Sequence, residues 1–345
     1  MDEAAAISKL DVKKIIDDVL GTIEREREQE IVARRFGLFD RRETLEQIGE
    51  LLGITRERVR QLEKVVVNRL KATGKDLPHI SDFESALSGL LKDTGHVAKI
   101  SDVTAKVAPQ NTKIDQSRVA FLASLSPGIA VIEDNDHFFH AVGLAAKHSE
   151  KAIREHVTKI IDTISDIGEP SHISKVAEKL SQPDVGHVEA LASISKNLAS
   201  LNDRWGLVRW PMVNPKNIRD KIYVILHQTK KPMHFSAIAE AIKNSDLKRK
   251  DVTTQAIHNE LIKDSRFVLI GRGIYALKEW GYQKGTVADV IADVLAKERG
   301  PLHRDEIVRR VLKSRRVKET TILLNLQGKP QFKRVAKATY ALAEK

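Results

Sequence analysis

The 345-residue chain carries 58 lysines and arginines against 47 acidic residues, has 41% apolar but only 5% aromatic residues, and contains no cysteine. These values imply more than one domain, cores of Leu, Ile, Val and Ala, and a largely helical architecture. They exclude disulfides, Cys-based zinc or iron–sulfur sites and thiol nucleophiles.

The charge is unevenly placed. Residues 1–75 hold 16 basic and 15 acidic residues, 76–212 hold 14 and 18, and 213–345 hold 28 and 14. An acidic partner such as nucleic acid is therefore expected for the last third. The N-terminus lacks a basic segment followed by an apolar core, and no run approaches the length of a membrane span, so neither a signal peptide nor a membrane partner is expected.

The first functional pattern begins at Thr44, an N-cap whose capping box is completed by Gln47. Leu45, Ile48, Leu51 and Leu52 fall on one helical face, and Gly53 ends the helix in a left-handed C′ position. Thr55 caps a second helix, Thr55–Val66, with Val59, Leu62 and Val66 as its apolar stripe. Gly49 sits inside the first helix at a cost of roughly 1 kcal/mol relative to alanine, which points to a close approach there. The spacing of Gly49, Gly53 and Val59 predicts a helix-turn-helix. Arg56, Glu57 and Gln61, near the start of the second helix, are of the types that read base edges, and Arg58, Arg60 and Lys64 suit phosphates. Arg60 is also placed to face a protein partner.

IEREREQEIVARRFGLFD followed by RETLEQIGELLGITRERVRQLEKVVVNRLK closely resembles region 4 of bacterial sigma-70-family factors, the domain that reads the promoter −35 element. The resemblance covers about residues 20–72 and is carried by the ERE run, RFGL at Arg35–Leu38, TLEQIG at Thr44–Gly49 and TRERVRQLE at Thr55–Glu63. It implies base contacts by Arg56, Glu57 and Gln61. It implies phosphate contacts by Thr44, Leu45 (through its backbone amide), Thr55, Arg58 and Lys64. It also implies docking on the β-flap of bacterial RNA polymerase core through a surface around Ile23–Phe36. Region 2 of such factors melts the −10 element with exposed aromatics and precedes region 4. The residues before Leu20 hold no aromatic, so promoter opening is not expected here.

The remainder contains a repeat. KPMHFSAIAEAI from Lys231 matches GPLHRDEIVRRV from Gly300, EPSHISKVAEKL from Glu169 and, more loosely, HVAKISDVTAKV from His96. The units also end alike, with Tyr275-Ala276-Leu277, Tyr340-Ala341-Leu342, Trp205-Gly206-Leu207 and, in the first, His140-Ala141-Val142. Each reads as a helix, a Pro or Gly turn with a short extended step, two more helices and a β-hairpin, which is a winged helix. In the third unit the strands are expected at Arg266–Ile270 and Gly273–Leu277, with Arg272 at the turn. Its expected core is Ile222, Ile225, Leu226, Ile238, Ile242, Ile257, Leu261, Val268 and Ile270. PMHFSAIAEAI and AIHNELIKDSRFVLIGRGIYALKEWG make residues 216–282 similar to the HARE-type winged helix. That domain occurs in the δ subunit of RNA polymerase in some Gram-positive bacteria and in several chromatin-associated proteins.

The expected fold is mainly α. A region-4-like helix-turn-helix domain (1–75) precedes an array of winged-helix units, each α plus a small β-hairpin, at 80–143, 150–211, 216–282 and 285–345. Lys248, Arg249 and Lys250 in the third unit, and Lys313, Arg315, Arg316 and Lys318 in the fourth, precede a helix at the approach to a recognition helix. They are candidate secondary DNA contacts. His172, His234 and His303 stand singly at helix starts in separate units, which suits capping or packing rather than a metal site. The aromatics near the hairpins suit core or wing anchoring better than base stacking.

No phosphate loop, dinucleotide fingerprint, nucleophile elbow or HExxH occurs, so neither an enzyme nor a cofactor is expected. The expected function is sequence-specific binding of double-stranded DNA at a −35-like element, acting with bacterial RNA polymerase in transcription initiation or its regulation, in the cytoplasm on the nucleoid. The alternatives are a δ-like polymerase accessory protein that binds core enzyme without reading a promoter, and a nucleoid architectural protein.

Overall fold

Two capped helices set the geometry of the N-terminal part. The computed structural model describes residues 10–108, 110–147, 149–247, 251–282, 285–298 and 300–343. It divides into two compact units, residues 1–209 and 210–345. The first begins with α1 (Val12–Gly21), α2 (Glu26–Phe36), α3 (Leu45–Leu52) and α4 (Arg56–Ala72). Thr44 Oγ1 accepts from the Gln47 N–H at 3.3 Å, and the Gln47 side chain accepts from the Thr44 N–H at 2.9 Å, closing the expected capping box. Gly53 ends α3 at φ 62°, and Thr55 Oγ1 accepts from the Arg58 N–H at 3.2 Å to start α4. A Cβ on Gly49 would lie 2.7 Å from the Ile54 carbonyl oxygen, so the close approach is to the turn itself. Ile31, Ile48 and Val59 form the small core that fixes α2, α3 and α4 together. Leu51, expected in that stripe, is 55% exposed.

The repeat that follows shares a core with this module. Residues of α1, α2 and α4 join one apolar cluster with those of α5 (Ile80–Asp93), α6 (Ile100–Val107) and α7 (Lys113–Leu125). Phe36 packs on Phe121 with ring centroids 4.8 Å apart, and Arg118 Nε donates to the Leu38 carbonyl at 2.7 Å. Positions 75–80, expected to separate two domains, are thus not a break in packing. The cause is a set of long-range contacts that no local pattern announces.

Helices α5 to α7 belong to a winged helix whose sheet has β3 (Ala141–Leu144) between β1 (Val97–Lys99) and β2 (Ile129–Ile132). The next repeat has α8 (Glu150–Ile167), α9 (Ile173–Lys179), α10 (Val185–Ser193) and the hairpin β4 (Leu198–Leu201)–β5 (Arg204–Leu207). A single bridge from Ser171 to Trp205 takes the place of its third strand.

The second unit repeats the plan twice. Its first half has α11 (Ile218–Thr229), β6 (Met233–His234), α12 (Phe235–Lys243), α13 (Thr254–Lys263), β7 (Phe267–Gly271) and β8 (Ile274–Leu277). The second half has α14 (Val287–Glu298), β9 (Leu302–His303), α15 (Arg304–Ser314), α16 (Glu319–Gly328), β10 (Phe332–Ala336) and β11 (Thr339–Leu342). In each, the last strand is central, between the short strand before the second helix and its hairpin partner. The fold is therefore mainly α, with a helix-turn-helix and winged-helix units.

His234 and His303 are N-caps whose rings accept from the Ser236 and Asp305 N–H groups, the structural role expected of them; His172 stands at the same position without a side-chain cap bond. Every expected core residue of the third repeat is buried, but on two faces. Ile222, Ile238, Ile257 and their neighbours join Phe267, Tyr275 and Leu277, whereas Val268 and Ile270 form a separate cluster with Ala276 on the other side of the hairpin. Alternation along a strand sends adjacent residues to opposite faces.

One equivalence changes. Tyr275 pairs with Met233, Tyr340 with Leu302 and Trp205 with Ser171, each opposite the residue before a helix N-cap. In the first repeat that place belongs to Val142, opposite Ala98, and not to His140.

Candidate nucleic-acid interface

Of the nine N-terminal residues expected to meet DNA, eight stand in solvent. Thr44, Thr55, Arg56, Glu57, Arg58, Arg60, Gln61 and Lys64 are exposed, and Leu45 is half-buried. Arg56, Glu57, Arg58, Arg60, Gln61 and Lys64 all project from the first half of α4, which runs six residues beyond its expected end. Glu57, Gln61 and Lys64 share one helical face, following the i, i+4, i+7 spacing. The helix is locked from behind. Arg35 pairs with Glu63 at 3.2 Å and Arg69 with the buried Glu28 at 2.9 Å, while Arg27 Nη2 donates to the Leu52 carbonyl at the end of α3 at 2.5 Å.

The exposed side chains form a network among themselves. Arg60 grips Glu57 with two bonds of 2.6 and 2.9 Å. Gln61 Nε2 reaches Glu57 at 3.5 Å, and Arg58 Nη1 reaches Gln61 Oε1 at 3.4 Å. The Arg60 hydrogen bonds hold the Glu57 carboxyl below its ordinary value, and Glu57 in turn raises Arg60. A carboxylate has about four acceptor sites, so Glu57 stays ionised and able to accept from a further donor while Arg60 holds it. Thr44 and Thr55 accept in their caps, which leaves each hydroxyl proton to donate outward. Leu45 opens α3, where the first-turn N–H groups have no intrahelical partner and favour an anion.

The surface expected around Ile23–Phe36 is different. Ile23, Ile31 and Val32 are buried, and Phe36 is half-buried against Phe121. Ile23, Val32 and Phe36 join the cluster shared with α1 and α7, Ile31 packs on Ile48 and Val59, and polar side chains such as Glu24, Arg25, Glu26 and Arg27 are left in solvent. What this stretch offers to a partner is therefore its polar side.

The C-terminal candidates divide. Lys248, Arg249 and Lys250 lie outside the described residues. Lys313, Arg316 and Lys318 are exposed. Arg315 is not a DNA-facing group. It is 6% exposed, and its Nη1 donates to the Leu269 carbonyl of the preceding hairpin at 2.6 Å. Burial pushes its guanidinium below the ordinary arginine value, against the pull of Asp289. Beside it the Arg316 N–H donates to the Ile270 carbonyl at 3.1 Å, so residues 315–316 lie along β7 as an added edge. Sequence reasoning missed Lys333, Arg334 and Lys337, which stand exposed on the last hairpin; the KRVAK run was the available signal.

Among the described residues no cluster of His, Asp and Glu is arranged to hold a metal ion, and no helix is long and apolar enough to cross a membrane.

Residues 25–72 match the family model of sigma-70, region 4. The match identifies the helix-turn-helix built from α2, α3 and α4 as a module of that type. Among curated proteins, the RNA polymerase sigma factor SigA of a Bacillus species is 44% identical over 82 residues, which are 24% of this chain and 21% of that protein. SigA of Listeria monocytogenes is 43% identical over 73 residues, 21% of this chain and 19% of that protein. The chain thus spans about a fifth of the length of the curated relatives it matches.

Proposed function

We propose that the chain is a DNA-binding transcription factor that reads a −35-like promoter element through α4 and acts with bacterial RNA polymerase in transcription initiation or its regulation. The observation that carries this reading is the exposure of Arg56, Glu57 and Gln61 together at the start of a helix within the region-4 match. Arginine pairs with guanine O6 and N7, glutamine with adenine, and glutamate accepts from cytosine N4. Thr44, Leu45, Thr55, Arg58 and Lys64 surround them as phosphate contacts that fix the register. The chain works by binding, without catalysis, in the cytoplasm and on the nucleoid.

The second reading is a polymerase accessory protein whose module occupies the flap without reading a promoter, for which the exposed polar side of Ile23–Phe36 would be the docking surface. We also read residues 216–282 as a HARE-type winged helix akin to that of the polymerase δ subunit. The test is selection of bound sequences from random duplex DNA, with and without core polymerase. A recurrent short element in both arms supports promoter reading. Polymerase capture with no enriched element supports the accessory role and sinks promoter reading. A nucleoid architectural protein would enrich nothing and ignore polymerase.

A further inference from the structure

The third and fourth repeats build the same hairpin in the same register and use it in opposite ways. Phe267 pairs with Leu277 as Phe332 pairs with Leu342, and Val268 with Ala276 as Lys333 with Ala341. Both hairpins then slip by one residue near the turn. In the third repeat the face formed by Val268, Ile270 and Ala276 is buried, and the Arg315–Arg316 segment lies along β7. A Cβ on Gly271 would sit 2.8 Å from the Arg316 carbonyl oxygen, so this segment lies directly against the β7 edge. In the fourth repeat the positions of Val268, Ile270 and Arg272 are taken by Lys333, Val335 and Lys337. Everything from Lys333 to Lys337 is exposed.

The charge around this hairpin is one-sided. Residues 307–343 contain ten lysines and arginines and one carboxylate, Glu319. Arg309 and Arg310 are paired with Glu306, and Arg315 is buried. Lys329, Lys333, Arg334 and Lys337 meet no carboxylate among the described residues. Arg334 Nε donates to the Ala336 carbonyl at 3.2 Å, which holds the guanidinium along the hairpin. The helix that a winged helix would ordinarily place in the major groove is unsuited to it here. From Glu319 to Gly328 α16 carries no cation, and Leu324 is 68% exposed on it.

We infer that the β10–β11 hairpin, through Lys333, Arg334 and Lys337 with Lys329 at its base, is a second contact with the phosphodiester backbone of duplex DNA, and that the β7–β8 hairpin is not. A two-stranded ribbon fits a DNA groove, and unpaired cations on its edge gain by releasing counterions. The inference rests on duplex DNA being the ligand of the chain, but not on sequence reading by α4.

The test uses the full chain and a labelled duplex of random sequence, roughly 30 base pairs long, titrated by fluorescence anisotropy across a range of salt. The Lys333→Gln/Arg334→Gln/Lys337→Gln chain is expected to bind about tenfold more weakly at moderate salt. Its log–log salt slope should fall by about 2–3, at about 0.9 for each phosphate that is no longer neutralised. Arg272→Gln/Lys278→Gln, on the other hairpin, should leave both within about twofold, and Lys333→Arg/Lys337→Arg should bind like the parent. All these residues are exposed, so the melting temperature should not move. Equal weakening from both hairpins, or parental binding by the triple variant, overturns the inference. A parent chain that binds no duplex overturns the reading on which it rests as well.

Discussion

On α4 every cation that the sequence singled out stands in solvent, whereas around α15 and α16 one of four, Arg315, lies buried against the third repeat's hairpin. The difference comes from what fixes each residue. On α4 the phase of the helix is set locally, by Thr55 at its start and by Val59 facing Ile48. Once that phase is set, Arg56, Arg58, Arg60, Gln61 and Lys64 have no direction but outward. Arg315 stands in an extended link after α15, where nothing local sets a direction. Its place is decided by the Leu269 carbonyl, 46 positions away. Charge density marks a basic region; helix phase marks which cations are free.

The comparison is broken or sharpened most by the bases. Arg56→Ala/Gln61→Ala should remove discrimination of about 1–3 kcal/mol per bidentate base contact, leaving only the affinity for random DNA. Competition titrations against a selected element check this, and affinity within twofold of the parent would mean that α4 does not read sequence. Next comes the turn that sets the phase. Gly49→Val drives a side chain into the Ile54 carbonyl and should destabilise the helix-turn-helix by roughly 1–3 kcal/mol and abolish DNA binding, measured by urea denaturation and anisotropy. A similar but local effect is expected of Arg315→Ala, which removes the bond to the Leu269 carbonyl together with the packing of a buried side chain and should cost about 1–3 kcal/mol in the second unit. Arg316→Ala keeps its backbone bond to Ile270 and should leave stability unchanged in the same denaturation measurement.

The smallest effect separates the units by acid. Burial holds the His140 imidazole below its ordinary value, helped by Arg42 and opposed by Glu133 and Asp134. Folding therefore favours its neutral form, and that contribution is present above about pH 6.5 and is lost as the pH falls below it. In the second unit, hydrogen bonds from Arg309 and Arg310 hold Glu306 down to about 2. Its contribution is present above the unfolded value near 4.3 and is lost only as the pH falls from there through about 2. The first unit should therefore weaken at the higher pH. Urea midpoints followed by Trp205 and by Trp280, in chains keeping one tryptophan each, give the order; simultaneous weakening would contradict it.

What the sequence made legible follows the same division. Thr44, Gln47, Gly53 and Thr55 act within a few residues of themselves, so the caps, the turn and the exposed face of α4 could be read directly. The repeated Pro-x-His and Tyr-Ala-Leu signals recur because each repeat closes its own short sheet. The core shared by α1, α2 and α7, the covering of Ile23–Phe36 and the shift from His140 to Val142 all depend on partners far along the chain. Strand alternation placed Val268 and Ile270 correctly inside, but which layer buries them depends on the hairpin's other face.

The most direct test of the central claim is selection from random duplex DNA carried out in parallel with the parent chain and the Arg56→Ala/Gln61→Ala chain. The account predicts one short recurrent element for the parent and none for the variant, with both still retaining salt-sensitive binding to unselected DNA. The same element enriched by both chains, or no element enriched by the parent, would contradict it.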